Sequence, residues 1–162
     1  MIKSEKFEVT ITGTHGVIIP LRLAKPFLDA NKTRVALTAY HNNKKLNFHG
    51  KLHQRGDEIL ISFGKRYQTE LGVTPKEHFW LQLFEDTSKY GVEVPEAFMV
   101  VLETDPEGFQ LFERLSIGKK RSLIYYISRF KSAQTQIDKT LILCENLKRG
   151  ITETKELIKQ QW

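Results

Sequence analysis

The residues with the most distinct chemical character lie in one run, SIGKKRSLIYYISRFKSAQT, residues 116–135. Lys119, Lys120 and Arg121 follow Gly118 at the head of a segment with helical apolar spacing, and Tyr125 stands one step round from that stripe, beside Arg121. A helix N-terminus presents free amide donors and a partial positive charge, so cations placed there can join it in holding a phosphate or carboxylate. The same cations oppose the helix macrodipole by ~0.3–1 kcal/mol each, and a chain that breaks a local helix rule often does so at a site. Lys131 and Lys139 carry the basic character into the next helix. Lys119, Lys120, Arg121, Tyr125, Lys131 and Lys139 are therefore the candidate set for an anionic ligand or a protein partner. The competing reading is structural: the cations dock helices by pairing with Glu107, Glu113 or the acidic segment before them.

Other chemistries are weakly represented. His49 and His53 are four apart on a predicted strand and would share one face, with His41 or Asp57 as a conceivable third ligand. No helical His-x-x-x-His pair or Cys/His cluster accompanies them, so no metal is expected. Neither a Gly-x-Ser-x-Gly elbow nor a phosphate-binding glycine loop occurs, and no nucleophile, base and orienter assemble. The expectation is a non-catalytic protein without a cofactor. Gln134, Thr135 and Gln136 would head a helix after the Ser132-Ala133 joint, which superficially suggests a helix-turn-helix, although the joint lacks the usual glycine. Nucleic-acid binding is accordingly the second reading. A small-ligand pocket using His49, His53 and Arg55 is the third.

The elements that must position these groups fall into two halves. Phe7, Val9 and Ile11 alternate with polar residues, the pattern of a half-buried strand. Val17–Ile19 is a short strand stopped by Pro20. Arg34–Tyr40 and Lys45–His53 form a predicted hairpin about Asn42-Asn43. Glu58–Phe63 and His78–Phe84 follow as strands, with Phe79, Trp80 and Phe84 read as packing. The segments 16–40 and 58–84 repeat one plan of short strand, helix and long strand, with Ile19 matching Ile61 and Leu28 matching Leu71. Two such repeats can interleave into a closed or half-open β-barrel. The later chain reads as helices. One starts at Asp105-Pro106 and buries Phe109, Phe112 and Leu115. The next spans Lys119–Lys131, with Leu123, Tyr126, Ile127 and Phe130 on its stripe. A third is capped by Ser132, buries Ile137, Leu141 and Cys144, and ends at Gly150. A short last helix runs from Thr152 to Trp162. The predicted class is α+β: a β-barrel over 1–88, a linker with a short strand and helix over 89–104, and a basic helical bundle over 105–162.

The net charge of +6 is uneven along the chain. Residues 1–112 hold 14 Lys and Arg against 14 Asp and Glu, whereas residues 113–162 hold 11 against 5. This places the whole excess in the last third and suggests an acidic partner there. Cys144 is the one cysteine and is read as inert core. A lone thiol forms no internal disulfide, no leader is visible after Met1, and no apolar run is long enough to span a bilayer, so a cytoplasmic location without a membrane span is expected.

The run FERLSIGKKRSLIYYISRFKSAQT followed by LKRG resembles the YdeI/OmpD-associated (OmdA) family. Leu115, Ser116, Gly118, Lys119, Arg121, Tyr126, Ile127, Lys131, Thr135, Leu147 and Gly150 fall on its pattern. Gln136 and Lys139 stand where the family usually has arginines, which weakens an anion-holding role at those positions. ISFGKRYQTELGVTPKEHFWLQLFED is similar to the second half of the domain that precedes the helices in that family. That domain is in turn similar to the AbrB-type double-split β-barrel, on the strength of Ile19-Pro20 and Leu71-Gly72. The resemblance implies a barrel-plus-helices architecture and a link to bacteriocin or antimicrobial-peptide protection.

Overall fold

The computed structural model describes residues 1–162, which divide into two compact units, Met1–Gly91 and Val92–Trp162. The first holds β1 (Phe7–Thr12), β2 (Gly16–Ile19), α1 (Leu21–Asp29), β3 (Arg34–His41), β4 (Lys44–Lys51), β5 (His53–Arg55), β6 (Glu58–Ser62), α2 (Lys65–Leu71) and β7 (His78–Glu85). The second holds α3 (Glu96–Thr104), α4 (Pro106–Glu113), α5 (Ile117–Ser128), α6 (Ala133–Lys148) and α7 (Thr154–Leu157). No helix is long and apolar enough to cross a membrane.

The strands form one seven-stranded sheet in the order β4-β3-β7-β1-β2-β6-β5, antiparallel throughout. The repeat is visible in the pairing. The two short strands pair with each other, Val17 with Ile61 and Ile19 with Ile59. The two long strands do the same, Leu37 with Leu83 and Ala39 with Leu81. Each pair of contacts mirrors the other, as a local two-fold between the repeats requires. The ladder does not close, however: β4 and β5 remain the two edges. The predicted continuous strand through His53 breaks at Leu52, so β4 and β5 are separate strands. Leu52 N–H donates to the Thr33 carbonyl at 2.7 Å, and the chain passes from the β3–β4 ladder to the β5–β6 ladder.

Alternation puts Val17, Ile19, Val35, Leu37, Phe48, Ile61, Leu81 and Leu83 in the core. Phe48, Phe63, Tyr67 and Phe79 form an aromatic cluster, with Phe63 and Phe79 stacked at 5.0 Å. Trp80, expected to pack, is instead 46% exposed, since it points to the opposite face from Phe79 and Leu81. The Asn42-Asn43 turn has φ values of 47° and 67°, the paired left-handed geometry whose twist suits a two-residue hairpin.

In the helical unit the caps behave as the residue types dictate. Asp105, Ser116 and Ser132 each accept a backbone N–H three residues on, from Gly108, Lys119 and Thr135. Ser116 therefore starts α5 at Ile117, two residues earlier than predicted, and α5 ends at Ser128. Val92 and Val94 form no strand, because a strand needs a partner edge and none pairs with this segment. On α6 the buried stripe is Thr140, Leu143, Cys144 and Leu147, so Leu141 is 51% exposed instead of buried.

The unit boundary also changes the charge account. Met1–Gly91 holds 14 Lys and Arg against 9 Asp and Glu, a net +5. Val92–Trp162 holds 11 against 10, a net +1, because Glu93, Glu96, Glu103, Asp105 and Glu107 belong to the helical unit.

Candidate functional site

The cations at the head of α5 are used within the protein. Lys119 Nζ donates to the Thr152 carbonyl at 3.0 Å and lies 3.7 Å from Glu153 Oε1. Lys120 Nζ donates to the carbonyl of Glu113 at 3.1 Å. Glu113 is the last residue of α4, where unpaired carbonyls and the negative helix end favour a cation. The charge that is unfavourable for α5 is thus favourable for α4. Arg121 is half-buried. Lys131 is exposed in the joint before α6, and Lys139 Nζ stands 5.5 Å over the Phe130 ring.

Of the six predicted residues, Tyr125 alone lines a groove that opens between α5 and α7, with a volume of about 390 Å³. It is 41% exposed there. Tyr126 and Arg129 join it from α5, and Thr154, Lys155 and Ile158 face them from α7 and its end. Ser122, Tyr125, Tyr126 and Arg129 recur at three- and four-residue steps, so one side of α5 builds one wall. The Arg129 guanidinium sits 5.3 Å over the Tyr126 ring, and that ring meets Phe130 edge-on at 5.2 Å. Sequence reasoning missed Arg129 and Lys155. The four-residue step from Tyr125 to Arg129 was the available signal; nothing local marks Lys155.

A buried amide holds the α7 wall, and an ion pair ties α4 to α6. The Asn146 side chain is fully buried on α6, and its Nδ2 donates to the carbonyls of Leu157 at 2.8 Å, Lys159 at 2.7 Å and Glu156 at 3.3 Å. Its Oδ1 is buried and has no hydrogen-bond partner. Two residues on, at the C-terminus of α6, Lys148 Nζ donates to Asp105 Oδ2 at 2.9 Å, while Asp105 Oδ1 accepts the Gly108 N–H at 3.0 Å. The Lys148 ammonium and the Gly108 amide hold the Asp105 carboxyl below its ordinary range, and Asp105 in turn raises Lys148. Burial, with the Asp105 charge adding to it, pushes the Cys144 thiol up to about 12. A thiol in that state is a poor nucleophile.

In the sheet unit His49 and His53 do not come together. His49 Nδ1 is 2.9 Å from Asp86 Oδ2, whereas His53 lies beyond the break on β5. Asp86 Oδ1 accepts from the Ser88 N–H and hydroxyl, the Ser88 hydroxyl accepts the Gly91 N–H, and Arg34 Nε donates to the Gly91 carbonyl. Burial would raise the Asp86 carboxyl, but the Ser88 donors and His49 outweigh it and lower it. This chain of contacts fastens the exit of β7 to the sheet. The serine bonds the carboxylate and not the imidazole, so the arrangement is not that of an activated nucleophile. No three His, Cys, Asp or Glu side chains converge as metal ligands. Gln134 Nε2 donates to Asp138 and Gln136 Nε2 to the Phe130 carbonyl, so both glutamines at the head of α6 are engaged.

Residues 91–150, which take in α3 to α6, match the family described as bacteriocin-protection, YdeI or OmpD-associated. No curated protein matches the chain. Among solved structures, the solution structure of PHS018 from Pyrococcus horikoshii is similar at 20% identity, over 52% of this chain and 94% of that one, with a TM-score of 0.41. The OmdA match ends at Gly150, so Lys119 and the α5 wall lie inside it, while Thr152, Glu153 and α7 lie beyond. The groove therefore combines one wall from the matched segment with one from the residues that follow it.

Proposed function

We propose that this chain is a non-catalytic, cytoplasmic binding protein that captures an acidic segment of a partner in the α5–α7 groove, in the stress or bacteriocin-protection setting that the OmdA description suggests. One observation carries the reading. Two cations, Arg129 and Lys155, and two tyrosines converge on one groove, and no acidic residue lines it. The helical unit as a whole is nearly charge-balanced at +1, so this convergence is local and not a consequence of a basic domain. Tyrosine adds apolar area at little entropic cost, and arginine adds a fork for carboxylates. Lys119, Lys120 and Arg121 serve as helix-docking groups beside that site, with Lys131 and Lys139 at its periphery. In the same reading the coiled sheet is a half-open relative of the double-split barrel, supported by the mirrored pairing of its repeats.

The test is fluorescence anisotropy of a labelled glutamate-rich peptide titrated with the full chain at low salt. Binding is expected to be saturable and to weaken by about tenfold or more when Arg129 and Lys155 are both changed to Ala, since each charge-assisted contact supplies ~1.5–3 kcal/mol. An Arg129→Ala/Lys155→Ala protein that binds as tightly as the parent would refute the assignment. A second reading, nucleic-acid binding, is favoured by the net +5 of the sheet unit. It predicts duplex DNA binding that collapses between roughly 50 and 200 mM salt and survives the groove substitutions.

A further inference from the structure

We propose that a hollow on the sheet unit, at the β1–β2 turn, binds a compact phosphate group. This is independent of the α5–α7 groove. The hollow is about 410 Å³ and follows from strand geometry. On β5, His53 and Arg55 are two apart and so project to one face; on β6, Leu60 and Ser62 share that face, with Leu60 opposite His53. Opposite Ser62 stands Gly16, which has no side chain to fill the space; a Cβ there would meet the Thr12 carbonyl at 3.1 Å and Leu60 at 3.5 Å. The outward face of the sheet therefore dips at Gly16, and His15, His53 and Arg55 rim the dip, with Leu60 in its floor.

The rim is made of donors. Thr12, Thr14 and Ser62 add hydroxyls to the two imidazoles and the guanidinium, and no Asp or Glu lines the hollow. Two carbonyls of the turn are turned to donors of the protein: Thr14 O accepts from Gln68 Nε2 at 2.9 Å and His15 O from the Phe63 N–H at 2.6 Å. Gln68 is buried and also donates to the Phe63 carbonyl at 2.8 Å, so the turn is held from beneath. Thr14 Oγ1 bonds His15 Nδ1 at 2.8 Å, which sets the ring and leaves Nε2 as its outer nitrogen. Arg55 and Glu58 form only a long, exposed ion pair at 3.9 Å without a hydrogen bond, which a bidentate phosphate contact to the Arg55 fork would replace.

The histidines supply their own controls. Inorganic phosphate is titrated into isotope-labelled full-length protein at constant pH and ionic strength, and the ring signals of all five histidines are followed by NMR. His15 and His53 are expected to move together and saturate. His41, His49 and His78, placed against Glu77, Asp86 and Glu8, are expected to stay. Arg55→Gln, at an exposed edge position, should weaken the fitted affinity by about tenfold, the loss of one charge-assisted contact. Equal or non-saturating movement of all five rings overturns the site, as does a saturable titration that Arg55→Gln leaves unchanged.

Discussion

Replacing Gly108 with alanine sets two effects of opposite sign against each other. Gly108 is the third residue of α4, and helix propensity alone favours alanine there by up to ~1 kcal/mol. The packing opposes it. A Cβ would stand 2.9 Å from Asp105 Oδ2, 3.0 Å from Asp105 Cγ and 3.1 Å from Cys144 Cβ. The first two can give only if the carboxylate moves, which loosens the cap on α4 at ~1 kcal/mol and the bond to Lys148 at ~1 kcal/mol or more. The third can give only if α6 moves, and overpacking of this kind typically costs ~1–3 kcal/mol. Less the propensity gain, the net expectation is a loss of about 2–4 kcal/mol, or a fall in the helical unfolding midpoint of roughly 10–30 °C for a unit of this size. Thermal melting followed by far-ultraviolet circular dichroism reads this directly. Gly118→Ala is the matched control: it lies in α5, has nothing within 4 Å of the added Cβ, and should raise stability slightly. If Gly108→Ala stabilises as Gly118→Ala does, the close approach of α4 to α6 is not as described.

The Asp105–Lys148 pair also fixes a pH window. A lowered carboxyl stabilises above its unfolded value, near ~4, and that contribution is lost as pH falls through the folded value; a raised lysine stabilises below its unfolded value, near ~10, and is lost as pH rises through the folded one. Acid melts should show Asp105→Asn flattening the acid limb of the helical unit while leaving that of the sheet unit, where Asp86 is likewise lowered. An unchanged helical acid limb would refute the pairing. Cys144, buried and raised to about 12, should resist a thiol reagent at neutral pH in the native protein and react fully in urea. Rapid native labelling would contradict its burial.

Much of the sheet unit is legible in the sequence because its code has period two. Phe7, Val9 and Ile11 are buried as their alternation requires, and Asn42-Asn43 marks its turn by the one conformation asparagine tolerates better than most residues. The repeat predicts which strands pair, but not that the ladder stays open, nor the one-residue break at Leu52, which has no compositional mark. The α6 stripe misleads for a physical reason. Thr140 and Asn146 are buried polar residues, one bonding the Gln136 carbonyl and the other the chain around α7. A reading by hydropathy passes over them and runs through Leu141. The fate of Lys119 and Lys120 is hidden for a related reason: both donate to main-chain carbonyls, which every residue possesses and no sequence pattern advertises. Tyr125 was legible as an exposed ring, but its groove depends on α7, which the sequence suggests only as an indistinct last helix.

The Asn146 amide gives the groove a clock. α7 is four residues long, far below the length at which a helix persists by itself, so it is ordered only while it is held. What holds it is the buried Leu157 side chain and the carbonyls taken by one amide. The same amide keeps an oxygen in the interior without a partner. A four-residue turn at a chain end is expected at the low end of the protein's opening free energies. The groove exists for the fraction of time that this latch is shut. A ligand that bridges Arg129 and Lys155 would bind only the shut form, and its affinity would be scaled by that fraction. Residue 146, which touches no ligand, would then tune binding through how long the wall stands.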